Sequence, residues 1–213
     1  MRQSSALEFD KKIQRFSEDR QSIRLDQSRD SHVILNLGCG NQRYGDIRVD
    51  KYKGSANLIA DVEGTLPFKD EVFDVVYSRF LFEHLRNPSV ALEEMIRVLR
   101  PKGRIILITD NAAYPPFYFS NSMGSGFHAG CYRGSGPEDR HYSVFAPEHL
   151  KNHLLHFGLE GLVLRYAYAD DVGGKGGIWQ KVGRFLRVHK ISILKPFCMP
   201  NIVAVGTKPT KDS

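Results

Sequence analysis

Short apolar runs rich in β-branched residues alternate with stretches of helical periodicity along most of the chain. Runs of this length, followed by glycine or a polar residue, are typical of buried strands. The predicted strands cover residues 33–37, 47–49, 57–60, 73–78 and 104–109, with two more at 159–167 and 202–207.

One clear helical pattern lies between the fourth and fifth predicted strands, at residues 89–99. Pro88 precedes it, and Pro101 with Gly103 ends it. Strands that alternate with helices predict an α/β fold with a doubly wound parallel sheet and helices on both faces. A second helix begins at residue 147, and its predicted buried residues are Leu150, Leu154, Leu155 and Phe157.

The composition fits a single domain with appendages. A chain of 213 residues, of which 41% are hydrophobic and 25% charged, can bury one substantial core. We predict a helical N-terminal cap at 1–30 and a main domain at 31–213. The three cysteines are far apart and lack a C-x-x-C spacing, so neither disulfides nor a metal site is expected. With no spanning or leader pattern, we expect a cytoplasmic protein.

Three of the predicted strands end in groups suited to binding a ligand. The first breaks into the turn Gly38-Cys39-Gly40, and the next two are followed by Asp50 and Asp61. Because the carboxyl ends of parallel strands share one edge of a sheet, these groups are expected to gather around one crevice. The turn alone is weak evidence, since two glycines one residue apart also occur in ordinary tight turns.

Six motifs in order resemble those of the class I S-adenosylmethionine-dependent methyltransferases. They lie at 35–40, 49–50, 60–61 with 66–68, 73–78, 83–85 and 97–104. The resemblance implies a Rossmann-like doubly wound sheet of about seven strands, with the last strand antiparallel and inserted beside the fifth. A dinucleotide fits less well, because Arg43 replaces the third glycine of its fingerprint and Asp50 follows the first glycine too closely.

The resemblance implies that S-adenosylmethionine is the cofactor and places its parts. Backbone groups near Gly38 and Gly40 would hold its amino-acid end, Asp50 its ribose hydroxyls, and Asp61 with Val62 its adenine. Asp50 and Asp61 could instead merely cap turns. Asn36 stands where this family usually has an aspartate, which bears on cofactor affinity. The remaining residues of the expected cofactor site are Asn36, Cys39, Lys51, Ser78 and His84.

Methyl transfer from a sulfonium needs mainly alignment in a dry site, although a hydroxyl nucleophile benefits from a general base. Our candidate base is His141, whose alternative role is a hydrogen bond in the lid or at the helix start. It lies near the end of residues 111–143, which are rich in glycine and aromatics. A loop of this length leaving the fifth strand is predicted to be a lid or acceptor loop.

The acceptor predicted from these features is a small molecule, a glycan or a lipid-linked compound, methylated on oxygen or nitrogen. Nucleic acid is disfavoured, because residues 78–81 lack the Asn/Asp-Pro-Pro-aromatic motif of amino methyltransferases that act on it. Two alternatives stay open. One is a cofactor-binding module of the same fold without turnover, and the other is a nucleic-acid methyltransferase that uses the basic tail.

The basic charge is concentrated near the carboxyl end of the chain. Residues 172–211 contain no Asp or Glu but eight Lys and Arg, more than the net charge of +6 of the whole chain. Within the predicted insertion at 170–200, Trp179 and Phe185 fall on an apolar helical face and Lys181 on a basic one. Such a helix, through residues 175–195, predicts peripheral membrane contact, contact with a partner, or a cap packed on its own domain.

Overall fold

The computed structural model describes residues 32–115, 141–173, 178–186 and 190–210. The predicted N-terminal cap at 1–30 and most of the predicted loop at 111–143 lie outside these residues. Seven strands form one sheet. They are β1 (Ile34–Leu37), β2 (Ile47–Asp50), β3 (Leu58–Ile59), β4 (Phe73–Arg79), β5 (Leu99–Asp110), β6 (Glu160–Ala167) and β7 (Asn201–Thr207).

The strand order is β3-β2-β1-β4-β5-β7-β6. Strands β1 to β5 run parallel, whereas β7 is antiparallel to both β5 and β6. This confirms the predicted sheet, including the antiparallel last strand beside the fifth. Residues 38–46, between β1 and β2, form turns and contain no helix.

Alternate residues of the central strands face two separate cores. Ile105 and Leu107 pack in one core, while Ile106 and Ile108 pack in the other, as the period of two in a strand requires. Two helices that join the first core are α1 (Pro88–Val98) and α2 (Pro147–His156). The second core includes Val172 from the short 3-10 helix Ala169–Val172.

The helix α2 buries fewer residues than its sequence predicts. Leu150 and Leu154 are fully buried, but Leu155 is 50% exposed and Phe157 is half-buried. The prediction of a buried Leu155 is wrong, because its neighbour Leu154 already occupies the face turned toward β6 and β7, and consecutive helical residues point in different directions.

Between β6 and β7 the chain forms α3 (Ile178–Phe185), the 3-10 helix Ser192–Leu194 and α4 (Lys195–Cys198). Since β6 runs in the same direction as β5, this insertion leaves the sheet at the edge where β1 to β5 end. Within the described ranges, no helix combines the length and the apolar character needed to cross a bilayer.

Candidate functional site

A cleft of about 660 Å³ opens at the carboxyl ends of β1, β2 and β4. Its size falls in the usual range for a small-molecule site. Seven of the residues predicted to bind a cofactor line it: Gly38, Gly40, Asp50, Lys51, Asp61, Val62 and His84.

The glycine turn brings the backbone to the wall of the cleft. Gly38 and Gly40 have φ angles of 67° and 52°, a conformation that glycine adopts without steric cost. A Cβ on Gly38 would lie 2.9 Å from Leu81, whereas a Cβ on Gly40 would meet none of the described residues within 4 Å. The first glycine is therefore required by packing, and the second faces open space that a ligand can fill.

Asp50 fixes the turn and also faces the cleft. One of its carboxylate oxygens accepts a hydrogen bond from the Gly40 amide at 2.7 Å, and the other accepts one from the Tyr52 amide at 2.9 Å. Asp61 similarly accepts from the Glu63 amide at 3.0 Å. Asp50 and Asp61 therefore each cap a turn and also line the cleft. Each carboxylate oxygen has a second lone pair with which it can accept a hydrogen bond from a ligand.

The charges around the cleft are mainly negative. Asp50, Asp61 and Glu63 all line it. Lys51 lines it too, with its Nζ 3.9 Å from an Asp61 carboxylate oxygen. Among the residues that the structure describes, three carboxylates against one ammonium favour a ligand that carries positive charge.

Three residues predicted at the cofactor site, Asn36, Cys39 and Ser78, lie buried beside the cleft and do not line it. The Asn36 amide donates to the Tyr44 carbonyl at 3.0 Å and so supports the segment between β1 and β2. Burial, followed by the nearby Asp50 charge, raises the pKa of the Cys39 thiol. A thiol in this state is a poor nucleophile and acts as a small packing residue.

His141 lies behind the cleft wall. Its ring packs edge-to-face on the ring of His84, with centroids 4.5 Å apart, and His84 lines the cleft. Its Nδ1 lies 3.6 Å from an Asp110 carboxylate oxygen. The Tyr142 amide donates to the Glu83 carbonyl at 2.7 Å, which holds this segment against the residues after β4.

Asp110 was not predicted from the sequence. It ends β5, and burial raises its pKa to about 7. Its position at the carboxyl end of a parallel strand was the available signal, since such positions face the ligand edge of the sheet.

Phe80 is a second residue that the sequence did not reveal. It lines the cleft directly after β4 and has a φ of 55°, which is unusual for an aromatic residue. Its amide donates to the Ile108 carbonyl at 2.8 Å, so pairing with β5 holds the strained corner. No local pattern distinguishes this corner from the end of an ordinary strand.

Residues 45–107 match the protein family described as Methyltransferase domain. This segment begins just after the glycine turn and includes Asp50 and Asp61. The chain is 41% identical over 87 residues to glycine/sarcosine/dimethylglycine N-methyltransferase of Actinopolyspora halophila, covering 38% of this chain and 15% of that protein.

The chain is also 35% identical over 71 residues to the ubiquinone/menaquinone biosynthesis C-methyltransferase of Paraburkholderia phymatum, covering 33% of this chain and 29% of that protein. It therefore spans less than a third of either relative's length. A solved SAM-dependent methyltransferase from Archaeoglobus fulgidus has a similar fold, with a TM-score of 0.58 at 15% identity over 95% of this chain and 93% of that one.

Proposed function

We propose that this chain is a class I S-adenosylmethionine-dependent methyltransferase that binds its cofactor in the cleft and methylates a small-molecule, glycan or lipid-linked acceptor. The observation that carries the proposal is the convergence of Asp50 and Asp61 on the cleft beside Gly38 and Gly40. These are the positions at which the sequence motifs of the family place cofactor-binding groups.

The cleft residues fit such a cofactor. The open space at Gly40 leaves its backbone accessible to a ligand, and the neighbouring Asp50 carboxylate can accept further hydrogen bonds from hydroxyl groups. The negative lining matches a ligand whose ammonium and sulfonium outweigh its one carboxylate. When bound, S-adenosylmethionine supplies a methyl group on a positively charged sulfur.

Calorimetric titration with S-adenosylmethionine tests cofactor binding. We expect Asp50→Ala to weaken binding about a hundredfold, because it removes charge-assisted hydrogen bonds and frees the Gly40 turn. Asp70→Ala is the matched control, since Asp70 lies away from the cleft in an ion pair with Arg97. Equal affinity for the two variants, or no heat with the natural chain, would contradict the assignment of the cleft.

The chain also offers a proton acceptor for an oxygen or nitrogen nucleophile. An imidazole such as that of His141, which lies beside the carboxyl group of Asp110, can take up a proton near neutral pH. Our proposed base is therefore His141, with the acceptor bound against the His84 side of the cleft. Such a base is needed when the acceptor atom carries a proton that must leave during methylation.

Two matched variants test the base once a methylated product has been identified by incubating cell extracts with labelled cofactor. We expect His141→Gln to lower kcat by about a hundredfold or more while cofactor affinity stays unchanged. If His84→Gln has this effect and His141→Gln does not, the base is the residue that lines the cleft. Extracts in which no metabolite or macromolecule gains label would favour a binding module without turnover.

A further inference from the structure

The helix α3 is attached to the domain by its least hydrophobic side. Gln180 is buried, and its side-chain oxygen accepts a hydrogen bond from the Ala169 amide at 2.8 Å. Gly183 faces α4 so closely that an added Cβ would lie 2.9 Å from the Cβ of Cys198. Gly183 has a low helix propensity, but the absence of a side chain allows α3 and α4 to approach each other closely.

The apolar side of α3 consequently points outward. Phe185 is 85% exposed, and Trp179, Val182 and the following Leu186 are also exposed. A surface helix normally turns such residues toward the core. The helix therefore packs on its own domain through Gln180 and Gly183 and not through its apolar face.

Further apolar residues are exposed in the next segment. Ile193 is 76% exposed, and Phe197 of α4 is also exposed. The indole of Trp179 donates to the Phe197 carbonyl at 2.7 Å, which joins the two parts. We call Trp179, Val182, Phe185, Leu186, Ile193 and Phe197 the apolar patch. Groups of exposed apolar residues often mark interaction sites.

Basic side chains accompany the apolar patch. Lys181 and Lys190 are exposed, and Arg184 is paired with Asp170 and Asp171 from the preceding 3-10 helix. From residue 172 to residue 211 the sequence has no carboxylate side chain. The insertion therefore presents aromatic and aliphatic groups within a field of positive charge.

We propose that the apolar patch docks on an anionic phospholipid membrane surface. Aromatic and aliphatic side chains can enter the boundary between headgroups and acyl chains while the lysines contact anionic headgroups. A second copy of the chain fits less well, because two basic surfaces would face each other.

Docking through the apolar patch would bring the cleft edge of the sheet to the membrane. The insertion leaves β6 at the edge where β1 to β5 end, and the cleft opens at that same edge. Arg79, the last residue of β4, donates to the Val172 carbonyl at the base of the insertion. An acceptor held in the membrane would then lie at the edge of the sheet where, by the proposed function, the cofactor binds.

Trp179 is the only tryptophan of the chain and lies within the apolar patch, so its fluorescence reports contact directly. The full chain is mixed with phosphatidylcholine vesicles that either contain or lack phosphatidylglycerol, without added cofactor. We expect a blue shift, quenching by brominated acyl chains and co-sedimentation with the anionic vesicles, all weakened by salt.

Two pairs of variants separate apolar from electrostatic contributions. We expect Phe185→Ser to weaken vesicle binding at least about tenfold, whereas Leu155→Ser, at an exposed leucine outside the patch, leaves it unchanged. Lys181→Glu should weaken it about fivefold or more, compared with Lys69→Glu at an exposed lysine elsewhere.

Three results would overturn the proposal. The first is a wild-type chain that stays in the supernatant with anionic vesicles. The second is equal loss of binding in Phe185→Ser and Leu155→Ser. The third is a dimer, measured by light scattering without lipid, that Phe185→Ser dissociates while vesicle binding is absent. That last result would assign the apolar patch to a protein interface.

Discussion

The cleft and the insertion at 168–200 lie at the same edge of the sheet but use their side chains in opposite ways. In the cleft, polar groups such as Asp50 are tied to the backbone of the same chain. In the insertion, polar Gln180 is turned inward and apolar Phe185 outward. The polar groups of the cleft that the structure describes are therefore held by their own backbone, whereas the insertion exposes apolar side chains.

This difference shows which exposed groups indicate a functional surface. An exposed carboxylate at a strand end is ordinary, and its role follows from the neighbouring groups that line the same cleft. Several exposed apolar side chains on one helix, such as Val182 and Phe185, are unusual, so they are informative even without a known partner. The following substitutions test whether the two regions differ in this way.

The largest expected effect is on the glycine turn of the cleft. Gly38→Ala should lower the free energy of unfolding by about 2–4 kcal/mol, because the new Cβ meets Leu81 and the residue has a positive φ. Gly40→Ala has only the conformational penalty, about 1 kcal/mol. Urea unfolding measures both, and equal losses would contradict the distinction between a packed and an open glycine.

A second pair of substitutions compares the inner and outer sides of α3. Gly183→Ala should lower the free energy of unfolding by about 2 kcal/mol, since its Cβ meets Cys198 and the clash outweighs the gain in helix propensity. Phe185→Ser should change it by no more than about 0.5 kcal/mol, because that side chain is exposed. Urea unfolding followed by Trp179 emission tests the pair, and a larger loss for Phe185→Ser would mean that the apolar patch packs within the chain.

The smallest expected effect is the pH dependence set by Asp110. Its pKa is about 7 when folded, above the ordinary value of 3.8, so the folded chain holds a proton that the unfolded chain releases. The contribution of Asp110 to stability therefore falls as the pH rises from about 4 to about 7. Between pH 5 and pH 8, Asp110→Asn should gain at least about 1 kcal/mol relative to wild type.

Urea unfolding of the wild type and Asp110→Asn at the two pH values provides the measurement. The opposite result would be a wild type that loses stability relative to Asp110→Asn as the pH falls. It would indicate that Asp110 is ionised and paired with protonated His141. That outcome would mean that burial is not the main influence on the pKa of Asp110.

Most of the sheet and much of the cleft could be predicted from the sequence, because their signals are local. Apolar runs gave the strands, and the residues just after them, including Asp50 and Asp61, lie at the ligand edge by topology alone. The same rule would have identified Asp110. It does not identify Phe80, whose strained corner depends on pairing with β5.

The orientation of α3 could not be predicted, because periodicity defines the two faces of a helix without saying which one the domain covers. The buried face is the one that contains Gly183, which lies close to Cys198 of a separate helix. Leu155 shows the same limit on α2, since a helical pattern identified it as apolar but not as exposed.

Arg79 contacts both the cleft wall and the insertion. Its guanidinium stacks over the Phe80 ring at 5.0 Å and donates to the Val172 carbonyl, so one side chain touches both the cleft wall and the root of the insertion. A shift at either end would alter a contact of the same side chain. If lipid contact changes the affinity for the cofactor by some factor, thermodynamic reciprocity requires that the cofactor change the affinity for lipid by the same factor.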